Sequence, residues 1–182
     1  MEIDNLPLYG YGVKAFTLSM VESALELSNY NISTKAIEAI LNIGKDMLNK
    51  PVELLDGVET VLKTLSKKYR LILATKGDLL DQERKLEKSG LTSYFHHIEV
   101  LSDKKEENYV KLLNHLDINP SEFLMIGNSL KSDVLPLVNI KAHAIHIPFH
   151  TTWAHEQVTE AEKNGKTYKT ISSLRDVLKL IT

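Results

Sequence analysis

The chain contains no cysteine, which excludes disulfides, thiolate metal sites and a cysteine nucleophile together. Long apolar runs are also absent. The strongest, such as Leu71-Ile72-Leu73-Ala74, cover a few residues, where a bilayer-spanning helix needs about 20. No membrane span is therefore expected. The N-terminus, Met1-Glu2-Ile3-Asp4-Asn5-Leu6-Pro7, lacks a basic region followed by an apolar stretch and does not read as a signal peptide. Cytoplasm is the expected location. An excess of either charge is lacking too, with 22 Lys and Arg against 24 Asp and Glu for a formal net charge of -2. Without a basic stripe to neutralise a phosphate backbone, nucleic acid is not an expected partner. Lysine pairs such as Lys67-Lys68 and Lys104-Lys105 are too local to alter that. There is no internal repeat and no low-complexity segment.

What remains is an ordinary globular composition, 43% hydrophobic and 25% charged over 182 residues. That is enough for one domain with its own core, with or without a small appendage. The pattern divides the chain into residues 1–52 and 53–182. From Val13 to Asn49 the periodicity is helical, carried first by Phe16, Met20, Leu25 and Leu27 and then by Ile37, Ile40, Leu41 and Leu48. Ser33 is placed to cap the second helix. From about Pro51, helices alternate with short apolar strands: helix Gly57–Lys68, strand Arg70–Thr75, helix Asp78–Ser89 stopped by Gly90, strand His97–Leu101, and helix Glu106–Leu116. A turn at Asn119-Pro120-Ser121 follows, then strand Phe123–Gly127, helix Ser132–Asn139 and strand Ala142–Ile147. A polar stretch, a weak strand near Tyr168–Ile171 and a terminal helix Ser173–Leu180 complete the chain. Strands separated by helices of this length predict an α/β fold, a parallel sheet with helices on both faces. Strands that are apolar at consecutive positions agree with burial on both faces.

Ligands in such folds bind where strands end, and three strand ends carry chemistry. After Leu71–Ala74 come Thr75, Lys76, Gly77 and Asp78, a hydroxyl, a cation and a turn whose N–H groups can hold a phosphate. Taken alone, Thr75 could equally cap the next helix. After Leu101 comes Ser102-Asp103-Lys104-Lys105. A lysine there can neutralise a phosphoryl group, or it can start a solvated helix. After Ile126 comes Gly127-Asn128-Ser129-Leu130-Lys131-Ser132-Asp133, oxygen donors of the kind Mg²⁺ prefers, or a turn in which Ser132 or Asp133 merely caps a helix.

The order of these three stations, behind a helical hairpin, resembles the haloacid dehalogenase (HAD) superfamily of hydrolases, in its phosphatase-like branch with a helical cap. The resemblance covers about Gly10 to the C-terminus. Thr75 matches that family's second motif, Lys104 its third, and Gly127 through Asp133 its fourth, Gly-Asp-Ser-x-x-x-Asp. It implies a HAD-like Rossmannoid parallel sheet over residues 53–182 and a partial helical cap over 1–52. Thr75 and Lys104 would be catalytic. Thr75, Lys76, Gly77 and Lys104 would bind phosphate, and Asp133 with Asn128 would hold Mg²⁺. The implied activity is hydrolysis of a small phosphorylated metabolite through an aspartyl-phosphate.

Two departures shape the expectation. Asn128 stands where most members have aspartate, which predicts weaker Mg²⁺ binding. More seriously, the family's opening strand with Asp-x-Asp has no counterpart here, since Asp81-Gln82-Glu83 has the spacing but falls within a helix. That strand lies centrally in the family's sheet, between those ending at Thr75 and Gly127, so two apolar strands are expected to lose a neighbour. The chain is accordingly expected to be a truncated or nucleophile-free member, inactive as written. Two other readings stay open: a non-enzymatic phosphate- or partner-binding module, and a 2-haloacid dehalogenase. The loosely clustered His143, His146, His150 and His155 show no zinc-site spacing. Trp153 is read as packing or as a pocket rim.

Overall fold

The computed structural model describes residues 1–181. In chain order these form α1 (Glu2–Tyr9), α2 (Val13–Leu27), α3 (Thr34–Asn49), α4 (Val58–Leu65), β1 (Ile72–Lys76), α5 (Leu79–Ser89), β2 (His97–Leu101), α6 (Glu106–His115), β3 (Leu124–Gly127), α7 (Leu135–Asn139), β4 (His143–His146), α8 (Glu160–Lys163), β5 (Lys169–Thr170) and α9 (Val177–Ile181). The α/β alternation expected from the sequence is present. The chain separates into two compact units, one of Met1–Leu54, Ala74–Ser93 and Val100–Ser102, the other of Leu55–Leu73, Tyr94–Glu99 and Asp103 onward.

In the first unit the helical hairpin forms as read. Ser33 Oγ accepts from Ala36 N at 3.2 Å and starts α3, because a helix's first N–H groups have no intrahelical partner. The close approach of α2 to α3 depends on Gly44, where a Cβ would sit 2.4 Å from Thr17 Oγ1. The hairpin is preceded by α1, which the apolar periodicity did not signal. Polar groups secure it to α2: Asn5 Nδ2 donates to Ser19 Oγ at 3.0 Å and also to Glu22, and Tyr9 Oη donates to Glu22 Oε1 at 2.5 Å. The Tyr9 hydroxyl, and after it the Asn5 amide, hold the Glu22 carboxyl below its ordinary range. Asp78 caps α5 by accepting from Asp81 N at 3.1 Å, and Gly90 (φ 71°) ends it.

The second unit contains a three-stranded parallel sheet in the order β3-β4-β5, with Leu124 opposite His143, Gly127 opposite His146 and Ile145 opposite Lys169. One part of its core gathers Val61 and Leu65 of α4 with Val177 of α9, against Leu71, Ile126, Ile147 and Ile171. Another buries Tyr109, Leu112 and Leu113 of α6. Burying each such side chain stabilises the fold by about 1.5–3 kcal/mol before entropy is counted. β1 and β2 form a separate two-stranded sheet. Among the described residues β1 and β3 each have a single strand neighbour.

The segment after β3 departs from expectation. A continuous helix over Ser132–Asn139 was predicted, but residues Leu130–Val134 form a π-helical turn before α7. Pro136 explains this. It has no N–H to give the carbonyl four residues back, and its ring crowds that carbonyl. That carbonyl belongs to Ser132, and Tyr109 Oη donates to it instead at 2.9 Å. The ladder widens so that Leu135 N reaches Leu130 O.

Candidate active site

The turn after β1 lies within the first unit. Thr75 Oγ1 sits 3.0 Å from Gln82 Oε1 on α5, the geometry of a hydroxyl donating to a side-chain carbonyl. Capping of α5 falls to Asp78 and not to Thr75. Asp78 Oδ1 also takes Lys14 Nζ at 2.8 Å, and that ammonium holds the Asp78 carboxyl below its ordinary range. Lys76 Nζ lies 4.1 Å from the centre of the Tyr11 ring, a cation–π contact. At Gly77 (φ 141°) a Cβ would come within 2.8 Å of Gln82 Nε2. The turn thus presents a tethered hydroxyl, a cation and, at position 77, a positive φ that strains any residue with a side chain.

The second unit brings together two of the remaining candidates. Lys104 Nζ donates to Asp133 Oδ1 at 2.7 Å, with the side chains 12% and 7% exposed. Neighbouring Lys105, at 70% exposed, is the solvated helix start that the sequence left open for either lysine. Lys104 N donates to Asp103 Oδ1 at 2.8 Å, which fixes the backbone from which the buried amine extends. Asp133 Oδ2 accepts from Ser129 N at 3.0 Å. Gly127 leaves room for this carboxylate, since a Cβ there would stand 2.4 Å from both Asp133 Cβ and Oδ2. Asn128 is held by its backbone: His146 Nε2 lies 3.1 Å from Asn128 O.

The capping role that the sequence offered to Ser132 or Asp133 is taken one turn earlier by Ser129, whose Oγ accepts from Ser132 N at 3.0 Å. Two residues not singled out from the sequence, Glu156 and Tyr109, complete this turn. Ser129 and Ser132 both donate their hydroxyls to Glu156 Oε2, Ser132 at 2.6 Å. Tyr109, fully buried, holds Ser132 O. Burial pushes the Tyr109 hydroxyl pKa well up, and the negative charges of Asp133 and then Glu156 add to it. The helical spacing of Tyr109 with Leu112 and Leu113 marks it as core. Glu156 lies in the polar stretch around residues 151–166, where no periodicity points to it.

Mg²⁺ takes oxygen donors and keeps several waters, often using one or two carboxylates plus substrate phosphate. Asp133 and Asn128 are donors of that kind. Each Asp133 oxygen already accepts one hydrogen bond and keeps a second lone pair. Among the described residues no three His, Cys, Asp or Glu side chains converge as a closed metal cage would require. The donors fit a partial, water-completed Mg²⁺ shell. The histidines occupy other roles: His155 packs on Trp153 with ring centres 5.1 Å apart, and His97 pairs with Glu99 at 2.9 Å. No helix among the described residues is long and apolar enough to cross a membrane.

Comparison with known proteins adds an independent line. A sequence profile described as haloacid dehalogenase-like hydrolase matches residues 9–140. N-acylneuraminate-9-phosphatase of Mus musculus is 33% identical over 86 residues, covering 44% of this chain and 35% of that protein. The chain therefore spans about a third of the length of that curated relative. A haloacid dehalogenase-like family hydrolase from Xanthomonas campestris superposes with a TM-score of 0.79 at 41% identity, over 84% of this chain and 65% of its own. YfnB of Bacillus subtilis, crystallised bound to magnesium, superposes with a TM-score of 0.59 at 15% identity, over 93% of this chain and 82% of its own, a likeness of fold alone.

Proposed function

The chain belongs to the haloacid dehalogenase-like hydrolase family, and we propose that it carries the phosphoryl-binding and metal-supporting groups of a Mg²⁺-dependent phosphate-monoester hydrolase. The Lys104–Asp133 pair carries this reading. A largely buried ammonium, held at a strand end by a carboxylate and a fixed backbone, is a preorganised positive charge. Such a charge matters most where negative charge is being transferred. In the proposal Lys104 neutralises the phosphoryl oxygens, and the Thr75 hydroxyl, tethered by Gln82, binds them with help from Lys76 and the turn at Gly77. Asp133 has a double task, holding Lys104 in place and, with Asn128, supporting Mg²⁺. When bound, the cation draws negative charge from the phosphoryl oxygens. The phosphatase relative supports a small phosphorylated molecule as the substrate class.

Turnover through an aspartyl-phosphate also needs a nucleophilic aspartate at a strand end. Within residues 1–182 the Asp-x-acid spacing at Asp81-Gln82-Glu83 lies inside α5, where it serves the helix and ion pairs with Lys85. We therefore propose that these residues bind phosphate and do not turn it over. Binding groups alone cannot approach the up to about 10²¹-fold acceleration that phosphate monoesters require. The test is calorimetric titration of the 182-residue chain with inorganic phosphate in Mg²⁺, beside an assay with p-nitrophenyl phosphate. Saturable binding weakened by Thr75→Ala and by Lys104→Ala, without turnover, is expected. Mg²⁺-dependent turnover lost in Thr75→Ala would overturn the inactivity, and absence of phosphate binding would overturn the site.

A further inference from the structure

The segment Ala154–Glu156, a short 3₁₀ turn, is fastened to the π-helical turn at three points. Glu156 Oε2 accepts from Ser129 Oγ and, at 2.6 Å, from Ser132 Oγ. Lys131 Nζ donates to His155 O at 2.6 Å. The two serines are buried, so these hydroxyls lie where an unmet hydrogen bond is costly. Ser129 is the hub. Its N–H goes to Asp133 and its hydroxyl to Glu156, while the same hydroxyl oxygen accepts from Ser132 N. Two carboxylates from distant parts of the chain are thus fixed on one residue of the proposed metal-supporting turn.

The charges at this turn suggest why. Asp133 brings one negative charge, which faces the Lys104 ammonium at 2.7 Å. Asn128 is an amide and brings none. A dication placed near such a turn gains little net attraction from the Lys104–Asp133 pair, because the two charges largely cancel at a distance. Glu156 adds a full negative charge, and hydroxyl donors leave that charge in place while fixing its position.

Building on the phosphatase reading, we propose that Glu156 is a positioning residue of the Asn128–Asp133 turn, whose carboxylate also supplies the negative charge toward a divalent cation that Asn128 does not. The role is distinct from coordination. Glu156 acts through the two serines and through its field, as outer-sphere partners of metal sites do, and loss of such partners typically costs 10–100-fold in affinity.

The experiment is calorimetric titration of the 182-residue chain with Mg²⁺, repeated with Glu156→Gln, Asn128→Asp and the double variant, with circular dichroism of Trp153, the single tryptophan, reporting the fold. Glutamine can still accept from the serines, so Glu156→Gln removes charge with little loss of shape. Expected is a weakening of Mg²⁺ binding of about tenfold or more in Glu156→Gln, with most of it recovered when Asn128→Asp is added. A purely structural role would not be rescued by a charge at position 128. Equal binding by wild type and Glu156→Gln, or loss without rescue in a double variant that keeps the Trp153 signal, would overturn the inference. If the double variant loses that signal, Ser132→Ala, which keeps the carboxylate, decides: a loss of affinity as large as in Glu156→Gln overturns the role of charge. Absence of Mg²⁺ binding by the wild type would instead defeat the metal reading on which the inference rests.

Discussion

Lys104 and Asp133, 29 residues apart in sequence, meet as an ion pair at 2.7 Å with both side chains largely out of water. Breaking a buried pair is more damaging than never having formed it, because the remaining charge stays desolvated. Lys104→Ala is expected to lower the unfolding free energy by about 3 kcal/mol. For a chain of this size that is a fall in melting temperature of about 6–12 °C. Adding Asp133→Ala should cost much less than the sum of the two single changes. A double-mutant cycle in urea checks this, and strict additivity would show that the pair does not couple.

Tyr109→Phe removes only the hydroxyl that substitutes for the absent N–H of Pro136. Ser132 O then loses the buried hydrogen bond from Tyr109, at a cost of about 0.5–1.5 kcal/mol. Chemical denaturation measures the loss. A neutral result would mean that water reaches this carbonyl.

Gly127→Ala places a methyl group 2.4 Å from Asp133 Cβ and Oδ2. The clash must be relieved by moving Asp133 away from Ser129 N or by bending β3, and overpacking of this kind costs about 1–3 kcal/mol. Phosphate titration of the folded variant should show weaker binding, since Lys104 loses its fixed partner. Unchanged stability and binding would rule out the close approach.

Asp78→Asn separates a charge from a cap. Asparagine caps a helix about as well as aspartate, so the variant loses mainly the attraction to Lys14. That attraction lowers the Asp78 pKa in the folded state. It therefore adds stability above the unfolded value of about 3.9, and the gain disappears as pH falls through the lower folded value. Wild type should exceed Asp78→Asn by a fraction of about 1 kcal/mol at neutral pH, the partly exposed pair being screened by water. The two melting curves should converge in acid below pH of about 4. A difference that persisted there would assign the effect to the cap.

What was legible in the sequence was what neighbouring residues decide. Ser33 and Gly90 act on their own helices, and the strands His97–Leu101 and Leu124–Gly127 show themselves as apolar runs between turns. Lys104 could be ranked above Lys105 only through the family motif, since exposure separates the two and exposure is a property of the fold. The turn at 130–134 was misread as α-helix because its form depends jointly on Pro136 and on Tyr109 of α6. Glu156 went unnoticed for a related reason: it lies 27 positions beyond Ser129, with no helical or strand repeat to announce it.

The exchange of a backbone donor for the Tyr109 hydroxyl also bears on the order in which the chain assembles. A regular helical turn can flicker into being by itself within about a microsecond, but here the Ser132 carbonyl gains its Tyr109 donor only once α6 has docked. A peptide covering β3 to α7 would lack the Tyr109 hydroxyl that donates to Ser132 O. In the whole chain, amides of the turn should exchange more slowly than in that peptide, because the docked α6 ties part of the motif's lifetime to a larger cooperative unit.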